Sequence, residues 1–145
     1  EFRRVLFRSN HDQDVNELLT DLHRLTFADT APMADFAHGY WWIASEDGKE
    51  AGFIGYVPST HYAKTAYFYR VGVLPKYRGM GLQRRMMLVM ERHARLMQYR
   101  AIVTDTMDNV PSANNIIACG YKLFTPAEPW GHAGALYWRK QLISV

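Results

Sequence analysis

Val71-Gly72-Val73-Leu74-Pro75-Lys76-Tyr77-Arg78-Gly79-Met80-Gly81-Leu82-Gln83-Arg84 is the stretch whose reading decides the fold. It closes a run from Thr65 that is rich in Tyr, Phe and Val and therefore reads as a β-strand. A glycine-containing turn follows and opens onto a helix whose apolar positions are Leu82, Met86, Val89, Met90, His93 and Met97. Two glycines flanking Met80 permit positive φ and let the backbone approach a ligand closely. The first backbone N–H groups of the helix have no partner within it, and the helix dipole adds partial positive charge there. Such a turn suits an anion, and a pyrophosphate in particular. Arg78 and Arg84 flank it and can add charge-assisted contacts. Taken alone, the pattern is also compatible with a helix-capping turn or half of a dinucleotide fingerprint. The fingerprint lacks its third glycine, and no acidic residue follows a next strand at the required distance. No Gly-Lys-Ser/Thr is present, which excludes a phosphate-loop NTPase.

Outward from this segment the chain reads as helix, three strands, long helix, strand, short helix and two strands. Val15, Leu18, Leu19, Leu22 and Leu25 have helical spacing, with Asp12 or Asp14 as N-cap and an end near Phe27. Tyr40 to Ser45 and Ala51 to Val57 read as strands joined by a tight hairpin turn at Glu46-Asp47-Gly48-Lys49. Beyond the long helix come a strand from Arg100 to Thr106 and a short helix from Ser112 to Cys119, stopped at Gly120. Tyr121 to Thr125 and Gly134 to Gln141 form a closing pair of strands. The order predicts one α/β domain with a mixed sheet and helices on both faces.

Composition fits that reading and excludes several classes. The 145 residues are 48% hydrophobic and 21% charged, ordinary for a globular domain and too few for a second core. No apolar run approaches the ~20 residues of a membrane span, and no secretory signal is seen. The single cysteine, Cys119, suits a reducing compartment, so the expected location is cytoplasmic. Cys119 itself reads as core. A net charge of +3 with scattered Lys and Arg argues against a nucleic-acid partner, although Arg84, Arg85, Arg92 and Arg95 lie close together. A basic nucleic-acid-binding α/β domain is the distant alternative. Glu1 to Ser9 matches no later pattern, and Glu-Phe is what a common cloning site encodes. The segment reads as vector-derived, able to occupy an edge-strand position by virtue of its β-formers, leaving 10–145 as the domain.

The turn, taken with its context, resembles the acetyl-CoA-binding signature of the GNAT N-acetyltransferases, Gln/Arg-x-x-Gly-x-Gly/Ala. Arg78 and Gly81 fill the first two places, and Gln83 stands where a small residue is usual. Trp42 to Gly55 resembles the hairpin of that family's second and third strands, and Asn109 to Tyr121 its fifth-strand-to-fourth-helix segment. Tyr121-Lys122-Leu123 and Leu136 to Lys140 fit its closing strands. The resemblance covers nearly the whole chain from Asp12 onward. It implies a single-domain GNAT-like fold with a mainly antiparallel sheet of about six to seven strands. It also implies acetyl-CoA as cosubstrate and direct acetyl transfer to a primary amine.

By the same resemblance, Val71 and Val73 offer backbone groups to the pantetheine arm and the thioester carbonyl. The pyrophosphate rests on the amides of Gly79, Met80, Gly81, Leu82, Gln83 and Arg84. Asn109 contacts the pantetheine end, and the short helix from Asn114 lines the other wall. The acid–base groups carry over less well. The fourth-helix tyrosine that serves many relatives as general acid is Ile116 here, and Tyr67-Phe68-Tyr69-Arg70 lacks the usual fourth-strand glutamate. Asp105, Glu128 and His132 are the substitute candidates for a base. Trp41, Trp42, Tyr67, Tyr69, Trp130 and Trp138 fall where they could border an acceptor cleft or serve as core. The acceptor is expected to be a small-molecule or protein amine. Few acidic residues lie in the acceptor segments, which argues against a strongly cationic drug. No membrane partner is expected, and a homodimer is left open. The missing acid and base raise the rival expectation of an acyl-CoA-binding regulatory module.

Overall fold

The computed structural model describes residues 4–10, 15–28 and 30–143. Seven strands form one sheet: β1 (Val5–Ser9), β2 (Tyr40–Glu46), β3 (Lys49–Pro58), β4 (Thr65–Val73), β5 (Ala101–Thr106), β6 (Lys122–Phe124) and β7 (Leu136–Gln141). Their spatial order is β1-β2-β3-β4-β5-β7-β6. Every neighbouring pair is antiparallel except β4 and β5. Three α-helices accompany the sheet: α1 (Val15–Phe27), α2 (Leu82–Leu96) and α3 (Val110–Ala118). A single 3₁₀ turn at Pro75–Tyr77 leads from β4 toward α2. The expected mixed, mainly antiparallel sheet is present, and Val5–Ser9 takes the edge position beside β2. The expected N-cap of α1, at Asp12 or Asp14, lies outside the described residues. No helix among the described residues is long and apolar enough to cross a membrane.

The hairpin between β2 and β3 turns on Asp47 and Gly48, at φ 50° and 83°. Two consecutive positive φ values match the twist of the flanking strands, which is why an Asp-Gly pair stands there. Alternation along β2 then divides the apolar residues between two layers. Trp41 and Ile43 pack with Leu19, Leu22 and Phe53 beneath α1, whereas Trp42 and Ala44 pack with Ile54, Met86 and Met90 beneath α2. Each fully buried large apolar side chain contributes roughly 1.5–3 kcal/mol, so the two layers supply most of the driving force. Trp41, Trp42 and Trp138 are buried in these layers and do not border a cleft.

The structure moves several boundaries. Helix α3 begins at Val110, two residues before the expected start, because Asn109 caps it: its Oδ1 accepts from the Ser112 N–H at 3.1 Å. Strand β7 begins at Leu136, two residues later than expected. A turn in which the Ala135 N–H donates to the His132 carbonyl at 3.1 Å occupies the intervening chain, and Gly134 there has φ 88°. Within α2, Met87 and Glu91 join the buried set. Glu91 is fully buried and accepts from Lys140 Nζ at 2.7 Å and from the Tyr121 hydroxyl at 3.1 Å. Lys140 Nζ also donates to the Cys119 carbonyl at 2.6 Å, so one network ties α2 to β7 and to the end of α3. Cys119 packs against the core, and burial, with Glu91 next in effect, pushes its thiol pKa up.

Candidate active site

The parallel ladder between β4 and β5 consists of three pairs, Thr65↔Ala101, Ala66↔Ile102 and Tyr67↔Val103. One step further on, Thr104 Oγ1 donates to the Phe68 carbonyl at 2.9 Å, and there the pairing ends. Strand β4 also carries a bulge at this level. Gly55 stands opposite Arg70 and Tyr56 opposite Phe68, which leaves Tyr69 as the extra residue. The bulge bends β4 away from β5 and opens a fork. Val71, Gly72 and Val73 form one side of it, and Thr104, Asp105 and Thr106 the other. The fork continues into an open cleft of about 930 Å³ that runs from α1 to the start of α2.

At the α2 end of the cleft sits the glycine turn. Gly79 and Gly81 both have φ 77°, and Gly81 caps α2 with no side-chain hydrogen bond to the first-turn amides. A Cβ at either glycine would meet nothing within 4 Å. The glycines are therefore needed for their backbone conformation, and the space above them is free for a ligand. The amides of the first turn face a site already biased toward negative charge. The chemistry of this cradle fits a pyrophosphate.

Three side chains brace it. Arg78 Nε donates to the Val73 carbonyl at 3.1 Å, folding the turn back on the end of β4. Arg84 Nε donates to Asn115 Oδ1 at 2.8 Å, and Gln83 Nε2 to Ser112 Oγ at 3.2 Å. Gln83, at a place where the resemblance leads one to expect a small residue, thus joins α2 to α3 across the mouth of the cleft.

The other end of the cleft is lined by Phe27, Tyr69, Arg70 and Asp105, whereas Tyr67 and Trp130, expected to border it, are not on its wall. The Tyr67 hydroxyl donates to Asp105 Oδ1 at 2.5 Å. Burial raises the Tyr67 pKa, and the bond to Asp105 raises it further, so the phenol keeps its proton. Trp130 reaches over this pair from the β6–β7 loop, edge-on to Tyr67 with ring centroids 6.3 Å apart. It stacks on His61 at 4.9 Å, which anchors the loop to the β3–β4 connection. Arg70, from the bulged part of β4, extends toward α1. Its Nη1 lies 2.6 Å from His23 Nε2 and also donates to the Pro32 carbonyl at 2.5 Å. His23 is buried; desolvation first, and then the neighbouring Arg70 charge, lower its pKa.

Of the residues expected from sequence, Val71, Val73, Arg78, Gly79, Gly81, Leu82, Gln83, Arg84, Asp105 and Asn109 all line this cleft. Four do not. Met80 is exposed between the two glycines. Asn114 is exposed on the far side of α3, whose cleft-facing residues are Pro111, Ser112, Asn115 and Ile116. Glu128 and His132 are exposed on the β6–β7 loop and lie outside the cleft wall. Arg70 lines the cleft without having been expected there; its place one residue before Val71 is the sequence signal for it.

The fork and the glycine turn define an α/β protein able to take an extended, pyrophosphate-bearing ligand across its sheet. The chain belongs to the acetyltransferase (GNAT) family, whose sequence profile matches residues 7–121. No curated protein matches it in sequence. Among solved structures it is similar to a GNAT-family protein from Desulfovibrio desulfuricans, with TM-score 0.78 and 17% identity over 97% of this chain and all of that one. It is also similar to a Bacillus subtilis acetyltransferase in complex with CoA, with TM-score 0.75 and 14% identity over 97% of this chain and 100% of that one. A third similar structure is the ribosomal-protein-S18-alanine N-acetyltransferase of Escherichia coli, with TM-score 0.73 and 14% identity over 99% and 96% of the two chains. At such identities the likeness is one of fold.

Proposed function

We propose that this protein is an acetyl-CoA-dependent N-acetyltransferase that moves an acetyl group to a primary amine by direct attack, with both substrates bound at once. The observation that carries the reading is the β4–β5 fork: it opens beyond Tyr67↔Val103 and leads straight to the N-terminus of α2, whose first-turn amides no side chain caps. Pyrophosphate on the first-turn amides would direct the pantetheine along the β5-facing side of Val71 to Val73. The thioester would then lie near the bulge, between Arg70 and Asp105. Backbone donors on β4 aimed at the thioester oxygen would stabilise the oxyanion as the amine attacks.

In this scheme the amine nitrogen bonds to the thioester carbon, and the tetrahedral intermediate collapses by breaking the carbon–sulfur bond. Asp105 is the carboxylate at the acceptor end of the cleft wall, and it takes the proton that the amine loses. The Tyr67 hydroxyl holds one carboxylate oxygen of Asp105 and leaves the other available. The departing thiolate collects its proton from solvent, because Ile116, buried at 1% exposure on the cleft wall, has none to give. A thiol pKa near 8.5 makes that departure tolerable without a general acid. Holding both reactants in one cleft supplies most of the remaining acceleration.

Two assays test the proposal. Acetyl-CoA should raise the melting temperature, with about 2.7 kcal/mol of added stability at a hundredfold excess over Kd. Release of free thiol from acetyl-CoA should depend on an added amine. Ile116 also favours a second reading, a CoA-binding regulatory module of weak activity, which predicts the thermal shift without amine-dependent thiol release.

A further inference from the structure

Arg70 is a cation surrounded by neutral groups. Its Nη1 is engaged by His23 Nε2 and by the Pro32 carbonyl. Its guanidinium carbon lies 4.9 Å from the Tyr69 ring centre and 5.5 Å from that of Phe27. Since an arginine side chain offers no lone pair, it is the donor and His23 Nε2 the acceptor, which leaves the imidazole neutral. No carboxylate among the described residues pairs with Arg70. Its Nε and Nη2 carry no hydrogen bond to a described residue. Those two nitrogens form one side of a planar fork, the side that matches the two oxygens of a carboxylate.

The position of the fork gives it a use. Gly72, two residues along β4, faces Thr26 of α1, since a Cβ there would lie 2.7 Å from Thr26 Oγ1. Arg70 shares that face by the period of two along a strand, and both line the cleft. Val71 lies between them and packs toward the α2 layer. The remaining arginines of the cleft wall, Arg78 and Arg84, lie at the opposite end beside the glycine turn. The acceptor end therefore holds one guanidinium, enough for a monoanion, with aromatic rings beside it. A partly desolvated charge with neutral neighbours favours an anionic partner.

We propose that Arg70 selects the acceptor by its carboxylate, so that the amine substrate is an amino acid or a similarly compact amino-carboxylate. The inference rests on the acetyl-transfer reading above and names the substrate class of that same site. In it Arg70 is a specificity-determining residue, and the His23 imidazole positions it. An amine a few bonds from a carboxylate held at Arg70 would lie close to Val71, where the thioester is placed.

The test compares matched pairs, each standard α-amino acid against its own α-carboxamide, with acetyl-CoA as donor. For the preferred side chain, kcat/KM for the acid should exceed that for the amide by about 10- to 100-fold, carried mainly by KM. Arg70→Gln should lower that selectivity at least tenfold. Arg70→Lys, which keeps the charge but not the fork, should fall between. Thermal melts of both variants check that they fold, and the lysine variant serves if the glutamine variant does not. Equal use of acid and amide by the wild type would overturn the proposal. So would a parallel loss of both in the variants. A second arm titrates the same amino acids calorimetrically into CoA-saturated protein, where binding should weaken at least tenfold in Arg70→Gln. If no amine is acetylated, the function proposed above fails, and this arm alone decides the role of Arg70: undiminished or absent binding overturns it.

Discussion

Thr104 Oγ1 donates to the Phe68 carbonyl at 2.9 Å, one step beyond the last paired residues of β4 and β5. The bond joins the two strands at the level where they part and occupies a carbonyl that the diverging neighbour would otherwise leave bare. Thr104 is buried, so water cannot replace it. Thr104→Val keeps the shape and removes the donor, and should cost about 1–3 kcal/mol in urea unfolding. It should also weaken acetyl-CoA binding, because the fork is then free to shift. Unchanged stability would show that the apex is held by packing alone.

The glycine turn gives a paired prediction. Gly81 has φ 77° and caps α2, whereas Met80 is exposed and does not line the cleft. Gly81→Val places a β-branched residue in a left-handed conformation, worth about 1–2 kcal/mol of strain, and aims its side chain at the ligand's space. CoA affinity by calorimetry should fall about tenfold or more, while Met80→Val changes it little. Equal effects from the two substitutions would reduce the turn to a helix cap.

His23 gives the protein an acid sensitivity whose sign is fixed. Its folded pKa lies below the unfolded value of 6.5, so in the interval between the two the unfolded chain binds more protons. Stability from this group is complete above about 6.5 and declines as pH falls below it. His23→Gln keeps an acceptor for Arg70 but does not titrate. The melting temperature of the variant should lose less than the wild type does between about pH 7.5 and pH 5. Parallel curves would place the acid sensitivity elsewhere.

Glu91 is the fold's most exacting residue. It is fully buried, and both its oxygens are engaged, one by Lys140 and the other by Tyr121. Glu91→Ala removes one partner of a buried ion pair and should cost about 3–5 kcal/mol. Glu91→Gln keeps one acceptor, which serves Lys140, and turns its NH2 toward the Tyr121 oxygen, which can accept, so it should cost less. Chemical denaturation of the two variants orders them directly.

Much of this architecture was legible because its signals are local. Strand, glycine turn and amphipathic helix follow one another within Val71 to Arg84, and Asp47-Gly48 announces a hairpin by itself. What stayed hidden depends on contacts between segments distant in sequence. Asp105 could be named as a carboxylate but not seen to accept from Tyr67, 38 residues away. Glu91 reads as an ordinary charged residue on a helix until Lys140 and Tyr121 reach it. Arg70 was passed over because the bulge at Tyr69 breaks the alternation by which a strand's faces are read. That Asn115 and not Asn114 faces the cleft depends on the rotation of α3, which its cap at Asn109 sets.

Ile116 tests how transfer proceeds without a proton donor. Ile116→Tyr places a phenol on the cleft wall in the segment where many relatives carry one. Turnover should rise by up to ~10²-fold, the low end for general acid catalysis. CoA affinity should stay within a few-fold if, as the resemblance implies, the ring lies near the thiol and not the phosphates. A wild type with no activity, rescued only by this tyrosine, would favour the regulatory module.

The central claim is that the fork presents acetyl-CoA to an amine. The most direct measurement follows acetyl groups by mass spectrometry while free thiol is counted in the same reaction, with acetyl-CoA and a panel of primary amines. The account predicts one thiol released for each N-acetylated product, with no acetylated form of the protein accumulating as an intermediate. Firm binding of acetyl-CoA with no acetyl transfer to any amine would contradict it.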